Sequence, residues 1–176
     1  MKIVAISGSL RRASSNAAIL KALELLIPHG STFAFYQGLG SLPHFNPDLD
    51  GEGDVPPPAV AELRDLLASS DGVVISSPEY AHGVPGSLKN MLDWLVSDGT
   101  LVDKPVVLIN AAPAGGEYAQ TSLAETLRTM NWNVLTTPGA SDPFVKVRGR
   151  FDDPTVTQML QRVIDAIAER AEAGQE

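Results

Sequence analysis

The chain has 176 residues, 44% of them hydrophobic, which suits one soluble domain with a sizeable core. It contains no cysteine, which excludes disulfides, thiolate catalysis and cysteine-ligated metals and fits a cytoplasmic protein. The net charge of −8 disfavours broad contact with nucleic acid or with an anionic membrane surface. The first apolar run, residues 3–6, is too short for a signal peptide or a membrane span.

Apolar runs alternate along the chain with helical patterns. Residues 3–6 are typical of a strand buried on both faces, and residues 19–27 then repeat apolar side chains at helical spacing. Further strands are predicted at 32–36, 73–75, 106–109 and, more weakly, 132–135, and further helices at 60–67, 88–96, 123–130 and 156–167. Residues 38–58 form a loop rich in Gly, Pro and Asp, whereas 137–152 has no period and suits a sheet edge, a loop or an oligomer contact.

Five strands alternating with helices predict a doubly wound α/β domain, in which a parallel sheet carries helices on both faces. We expect one domain over residues 1–172, with 173–176 frayed. In such sheets, ligands bind beyond the carboxyl ends of the strands. The loops that follow the strands are therefore the candidate site.

The loop after the first strand, residues 7–16 (SGSLRRASSN), has the composition of a phosphate site. Its serines, Arg11 and Asn16 offer hydrogen-bond donors, Gly8 allows a tight turn, and the following helix adds a partial positive charge. Neither GxGxxG nor GxxxxGK[ST] occurs, which leaves a monophosphate as the expected ligand. The alternative is that Ser14 or Ser15 merely caps the helix and the arginines are solvated.

The stretch 77–95 (SPEYAHGVPGSLKNMLDWL) follows the third strand. Its prolines stiffen the loop, Gly83 and Gly86 let the backbone approach a flat ligand, and Tyr80 can pack on a ring. In the flavodoxin-like strand order 2-1-3-4-5, this loop lies beside the loop after the first strand. A phosphate site beside a site for a flat apolar ring describes flavin mononucleotide, FMN.

These two stretches resemble the NADPH-dependent FMN reductase family, which includes bacterial quinone, azo-dye and chromate reductases. The matching residues are Gly8-Ser9-Leu10-Arg11, Ser15, Asn16, Pro78-Glu79-Tyr80, Pro85-Gly86, Leu88-Lys89-Asn90 and Asp93-Trp94. The resemblance implies that the FMN phosphate is held by Ser9, Arg11, Ser15 and Asn16. It implies that the ribityl chain and ring are lined by Pro78, Glu79, Tyr80, Ala81 and Gly83, and on the other side by Ala112, Gly115 and Gly116. In this third loop, Ala112-Pro113 and the following Glu117-Tyr118 depart from the family pattern.

The resemblance also implies an activity. A ping-pong oxidoreductase would take a hydride from NADPH or NADH at flavin N5 and then reduce a quinone, an azo dye, chromate or free flavin. The flavin would carry the chemistry, so no catalytic side chain is expected. Glu79 would orient its loop rather than act as a base, and His82 would be a rim residue or a proton donor to a reduced quinone.

Two other classes remain open, an electron carrier like flavodoxin and a non-catalytic flavin-binding regulator. The three histidines are scattered, so no metal site is expected. The resemblance implies a homodimer or homotetramer, and the amphipathic helix 86–96 with Trp94 is the predicted subunit contact.

Overall fold

The computed structural model describes residues 1–112, 114–136, 142–147 and 153–173. The strands are β1 (Lys2–Ser7), β2 (Thr32–Tyr36), β3 (Gly72–Ser76), β4 (Pro105–Asn110), β5 (Asn133–Val134) and β6 (Val145–Lys146). The helices are α1 (Ser15–Glu24), α2 (Pro58–Ala68), α3 (Gly86–Asp93), α4 (Glu117–Thr129) and α5 (Pro154–Ala173). Helix α5 continues through Ala173, and the frayed end predicted beyond it lies outside the described residues.

The sheet has the order β2-β1-β3-β4-β5 and every pair in it is parallel, which confirms the flavodoxin-like prediction. Side chains alternate between its two faces. Val4 and Ile75 pack with α2, α3 and α4 on one face, whereas Ile3 and Val74 pack with α1 and α5 on the other. The continuous apolar runs are thus explained by burial on both faces, and the molecule has three layers.

The edge of the sheet beyond β4 differs from the five-strand prediction. The expected strand at 132–135 shrinks to the two residues of β5, which pair with the first half of β4. Strand β6 pairs with the second half of β4, through Ile109↔Val145 and Asn110↔Lys146. Two short strands therefore share one edge, and this part of the segment 137–152 is a sheet edge; residues 137–141 and 148–152 lie outside the described residues.

The prediction that Trp94 contacts another subunit is wrong. Helix α3 ends at Asp93 instead of residue 96, because the bonds Leu95 N–Leu92 O and Val96 N–Asp93 O tighten the chain beyond it. Trp94 is fully buried, and its indole Nε1 donates a 2.9 Å hydrogen bond to Pro43 O. A side chain buried within its own chain is not available to a partner.

The predicted loop 38–58 is held firmly against the body of the domain. It contains two short 3-10 turns, Gly38–Gly40 and Pro47–Leu49. The side chain of Asn90 accepts from Phe45 N at 2.8 Å and donates to Pro43 O at 2.9 Å. The loop therefore packs over α3. Among the described residues, no helix is long and apolar enough to cross a membrane.

Candidate functional site

Three loops meet at the carboxyl edge of the sheet. We call residues 7–16 the first loop, 77–85 the second loop and 111–116 the third loop. They follow β1, β3 and β4, whose ends are in register through the pairs Ser7↔Ser76 and Ser76↔Ile109. The strand order thus brings together the two loops that the sequence singles out, and it places the third beside them.

Gly8 lets the first loop lie directly against the second. Its N–H donates a 2.8 Å hydrogen bond to Ser76 O. A Cβ atom at this position would lie 2.7 Å from Ser77 Oγ and 3.0 Å from Leu88 Cδ2, which is too close for van der Waals contact. The glycine is therefore required by the close approach of the two loops rather than by an unusual backbone angle.

Some side chains of the first loop make structural hydrogen bonds, and others are exposed to solvent. Ser14 is buried and caps α1, since its Oγ accepts a 3.4 Å hydrogen bond from Ala17 N. Ser9 is half-buried, and its Oγ accepts a 3.2 Å bond from Arg11 N. Arg11 and Ser15 are exposed, with Ser15 at the first position of α1. Because Ser14 alone satisfies the cap, the hydroxyl of Ser15 and the guanidinium of Arg11 remain available to a ligand.

Asn16 links the first helix to the end of β3. It is buried, and its Oδ1 accepts a 2.9 Å hydrogen bond from the buried Ser76 Oγ. No hydrogen bond of its Nδ2 to another described residue is present, so the donor half of the amide is the part left for a ligand. Asn16 therefore positions the helix and can still donate into the site.

The second loop turns sharply at its tip. Tyr80 and Gly83 exchange two backbone hydrogen bonds, of 3.1 and 2.9 Å, around Ala81 and His82. Both central residues are left-handed, with φ of 49° for Ala81 and 60° for His82, as in a type I′ turn. Non-glycine residues in this region store strain of about 1–3 kcal/mol each and persist only where surrounding contacts hold them.

Two contacts to α4 hold the second loop in this conformation. Glu79 Oε2 accepts a 2.9 Å hydrogen bond from Ala119 N, in the first turn of α4. Helix α4 begins after Gly116, which has no capping side chain, so the Glu79 carboxylate takes the place of the cap and faces the positive end of the helix. The His82 ring stacks on Tyr118, with ring centroids 4.2 Å apart and planes 18° from parallel.

The third loop is organised by a residue that sequence reasoning missed. Asn110, fully buried at the end of β4, donates from Nδ2 to Gly115 O at 2.9 Å and accepts from Ala112 N at Oδ1 at 3.0 Å. Gly116 has φ of 90°, and a Cβ atom there would lie 2.7 Å from both polar atoms of the Asn110 side chain. Of the predicted residues of this loop, Pro113 lies outside the described residues.

A second missed residue joins the second and third loops from below. Gln120 is fully buried on α4, and its Nε2 donates to Ser77 O at 2.9 Å and, more weakly, to Ile109 O at 3.4 Å. Its Oε1 is buried without a hydrogen-bond partner in the described part of the chain. Nothing in the local sequence marks Asn110 or Gln120, since each acts through a buried amide that touches distant backbone.

Glu117, which follows the third loop, is part of a small group of charges. Lys146 Nζ lies 3.0 Å from Asp142 Oδ2 and 3.6 Å from Glu117 Oε1. The hydrogen bond to Asp142 is the main reason that the pKa of Lys146 is raised above its ordinary value. Within the described ranges, no group of three or more His, Asp or Glu side chains could hold a metal ion.

Comparison with known proteins identifies the family of this chain. The sequence model of the NADPH-dependent FMN reductase family matches residues 1–144. The chain belongs to this family.

Individual relatives agree with the family match. The chain is 31% identical to a quinone reductase of Escherichia coli strain K12 over 142 residues, 78% of this chain and 75% of that one. It is 29% identical to the NAD(P)H-dependent FMN reductase PA1204 of Pseudomonas aeruginosa over 176 residues, 95% and 93% of the two chains. Its structure is similar to that of FerB, a flavoenzyme NAD(P)H:(acceptor) oxidoreductase from Paracoccus denitrificans, with a TM-score of 0.78, 28% identity, and 98% and 97% of the two chains covered.

As a member of the NADPH-dependent FMN reductase family, the chain is a flavoprotein oxidoreductase with FMN as its cofactor and NAD(P)H as its reductant. The donors at the first loop suit the phosphate of FMN, because the hydroxyl of Ser15 and the amide of Asn16 belong to the first turn of α1 and the guanidinium of Arg11 belongs to the loop before it. Arg11 makes no ion pair with another described residue, so its charge is free to meet the phosphate.

Proposed function

We propose that this chain catalyses a two-electron, ping-pong reduction of quinones by NAD(P)H, with azo dyes, chromate or free flavin as further acceptors. FMN, when bound, would supply the redox chemistry, namely hydride acceptance at N5 from NAD(P)H and two-electron reduction of the acceptor, and the chain's own residues would bind and orient it. The observation that carries the proposal is the packing of the first loop, with its phosphate donors, against the second loop at Gly8.

The names of relatives support a quinone as the acceptor. Besides the quinone reductase of Escherichia coli, a 2-hydroxy-1,4-benzoquinone reductase of Burkholderia sp is 42% identical over 94 residues, 53% of this chain and 49% of that one. Those 94 residues cover only half of each chain, so they support the substrate class and not a particular quinone.

At the phosphate end, we assign binding to Ser9, Arg11, Ser15 and Asn16. Arg11 supplies the charge, and Ser15 adds a hydroxyl at the start of α1, where the backbone N–H groups are unpaired. Asn16 contributes Nδ2, because its Oδ1 is occupied by Ser76.

At the ring end, we assign Pro78, Glu79, Tyr80, Ala81 and Gly83 on one side and Ala112, Gly115 and Gly116 on the other. The second loop acts mainly through its backbone, which the Tyr80–Gly83 turn holds in one conformation. Glu79 would line the ring through its backbone, because its carboxylate is engaged with the first turn of α4. A backbone held in one conformation would fix the ring and exclude water, and neither of these two tasks needs a side-chain acid or base.

His82 and Tyr118 form the outer wall beyond the second loop. Both are exposed, Tyr118 to 64%, although their rings stack on each other. We assign the pair to the mouth through which a flat acceptor enters. His82 can donate a proton to a reduced quinone from this position, since stacking leaves the ring nitrogens unobstructed at their edges. A homodimer or homotetramer stays a prediction, and so does a contact through helix α3, although the buried side chain of Trp94 is not part of it.

The test is an anaerobic titration of FMN-loaded protein with NADPH and then with NADH, followed by the flavin absorbance in the visible range. We expect bleaching without a one-electron intermediate spectrum, and recovery when a benzoquinone is added. FMN that binds but is bleached by neither nucleotide would indicate a carrier or a regulator. Failure to bind FMN would refute the assignment of the first loop.

A further inference from the structure

Exposed tyrosine side chains are concentrated at one part of the candidate site. The chain has three tyrosines. Tyr36, at the end of β2, is half-buried, whereas Tyr80 in the second loop is 56% exposed and Tyr118 in the first turn of α4 is 64% exposed. Among the described residues, no Phe or Trp side chain is exposed. Tyrosine surface that is left in solvent at this one place indicates contact with a ligand.

A strained backbone holds His82 against Tyr118. His82 has φ of 60°, in the left-handed region, and its ring stacks on Tyr118 with centroids 4.2 Å apart and planes 18° from parallel. Non-glycine residues in this region cluster at active sites and at contacts with ligands. Both side chains remain exposed in spite of the stack, so each ring keeps aromatic surface that a ligand can contact.

The pair connects the two loops that are assigned to the flavin ring. His82 lies at the tip of the second loop, and Tyr118 is the second residue of α4, which begins directly after the third loop. Glu79 Oε2 also accepts a hydrogen bond from Ala119 N, so the second loop and the first turn of α4 are joined at two points. The stacked rings are therefore a fixed aromatic surface at the border of the ring-binding loops.

We propose that Tyr118, supported by His82, is a specificity-determining residue that stacks on the second ring of extended aromatic acceptors. The inference rests on the proposed function, since the first ring of such an acceptor must meet the flavin. It ranks the acceptors of that reaction, because naphthoquinones and aromatic azo dyes gain the contact, whereas benzoquinones and chromate have no second ring. Glu117-Tyr118 departs from the family pattern, so this ranking belongs to this chain and not to the whole family.

The test compares 1,4-naphthoquinone, 1,4-benzoquinone and chromate as acceptors for the FMN-loaded protein. Tyr118→Leu keeps apolar bulk but removes the ring. His82→Asn also removes a ring, and it introduces a residue type that tolerates the left-handed region. Tyr118→Phe is the matched control, because it keeps the ring and loses only the hydroxyl.

Three quantities are measured for each protein. The first is kcat/KM for each acceptor at saturating NAD(P)H, expressed relative to the unsubstituted protein so that the different reduction potentials of the acceptors cancel. The second is the affinity of the oxidised FMN-loaded protein for 1,4-naphthoquinone, followed by flavin absorbance, since oxidised flavin has no electrons to transfer. The third is FMN affinity together with the melting temperature, which reports any loosening of the second loop.

We expect Tyr118→Leu to lower kcat/KM for naphthoquinone about two- to tenfold more than kcat/KM for benzoquinone or chromate, since an aromatic contact is worth about that factor. The affinity of the oxidised protein for naphthoquinone should fall by the same factor. His82→Asn should change the ranking in the same direction, and Tyr118→Phe should keep it.

Equal losses for the three acceptors would overturn the inference, because a pair that only holds the second loop affects every acceptor alike. Affinity for naphthoquinone that is the same in Tyr118→Leu and in the unsubstituted protein would also overturn it. In either case, flavin that NAD(P)H reduces and the acceptors reoxidise would leave the proposed function standing. If naphthoquinone binding depends on Tyr118 but NAD(P)H does not reduce the flavin, the aromatic site stands and the proposed reductase function fails.

Discussion

Replacing Glu79 separates a structural carboxylate from a catalytic one. In Glu79→Ala, Ala119 N loses the 2.9 Å hydrogen bond that caps α4, and Gly116 has no side chain to replace it. Loss of a helix cap costs about 1–2 kcal/mol. For a chain of this length, each kcal/mol lowers the melting temperature by about 2–4 °C, so the expected loss is about 2–8 °C. Affinity for FMN should fall as well, because the second loop loses an anchor.

Glu79→Gln keeps an oxygen acceptor at the same position and loses only the charge at the positive end of α4, worth about 0.3–1 kcal/mol. We therefore expect it to melt close to the unsubstituted protein and to keep its activity. Glu125→Ala is the control, an exposed carboxylate on the same helix. Differential scanning calorimetry and the rate of quinone reduction measure both effects. Inactive Glu79→Gln with unchanged melting would refute the structural role, as would Glu79→Ala melting like the control.

Three further predictions test other parts of the structure. Arg11→Ala should weaken FMN binding by roughly 1.5–3 kcal/mol, measured by quenching of flavin fluorescence, and unchanged affinity would remove Arg11 from the phosphate site. Gly8→Ala should cost about 1–3 kcal/mol in urea unfolding, because its Cβ meets Ser77 Oγ at 2.7 Å. Gly86→Ala is the control, because no atom lies within 4 Å of the new Cβ, and it should leave the free energy of unfolding unchanged. Equal losses of stability in Gly8→Ala and Gly86→Ala would contradict the clash at Gly8. Burial, and then the charge of Glu62, raise the pKa of Tyr36 above its ordinary value of 10.0. The contribution of the neutral Tyr36 side chain to the free energy of unfolding is therefore complete below pH 10.0 and is lost as the pH rises through the raised pKa. Tyr36→Phe should therefore lose less stability in alkaline solution, and identical pH profiles would disprove this.

The sequence contains enough information to predict the sheet and the position of the site. Runs such as residues 73–75 are apolar on both faces, and this pattern predicts a buried parallel strand whatever follows it. Once the strands are parallel, the loops after β1 and β3 must meet at one edge, so the site follows from topology. The edge beyond β4 could not be predicted in this way, because β5 and β6 have two residues each and carry no recognisable period.

The residues that organise the loops were beyond the reach of local patterns. Asn110 and Gln120 are fully buried polar residues, and their bonds go to backbone atoms that the fold alone brings near. Gln120 contacts Ser77, 43 positions away in the chain. The prediction that Trp94 contacts another subunit is wrong for the same reason. The burial of Trp94 depends on Pro43 and Phe45, which lie in a loop without a helical or strand period. A residue whose partners are distant in the chain leaves no periodic signal.

The conformation of the second loop is another property that emerges only in three dimensions. The sequence predicts that Gly83 lets the backbone approach a flat ligand, but it does not indicate that Ala81 and His82 are left-handed, a conformation that is unfavourable for both residues. The strain at these two residues must be offset by contacts, and the structure provides them on both sides of the turn: Glu79 bonds to α4 before it, and His82 stacks on Tyr118 within it. An aromatic stack contributes about 0.5–1.5 kcal/mol and the cap about 1–2 kcal/mol. Together they offset about half of the strain at the two residues, which is about 2–6 kcal/mol, and the two backbone hydrogen bonds between Tyr80 and Gly83 add to them. The loop is therefore held in one conformation by α4 together with its own turn. The departure of Glu117-Tyr118 from the family pattern is thus matched by a contact to the second loop, which links the acceptor side of the proposed site to the conformation of the flavin side.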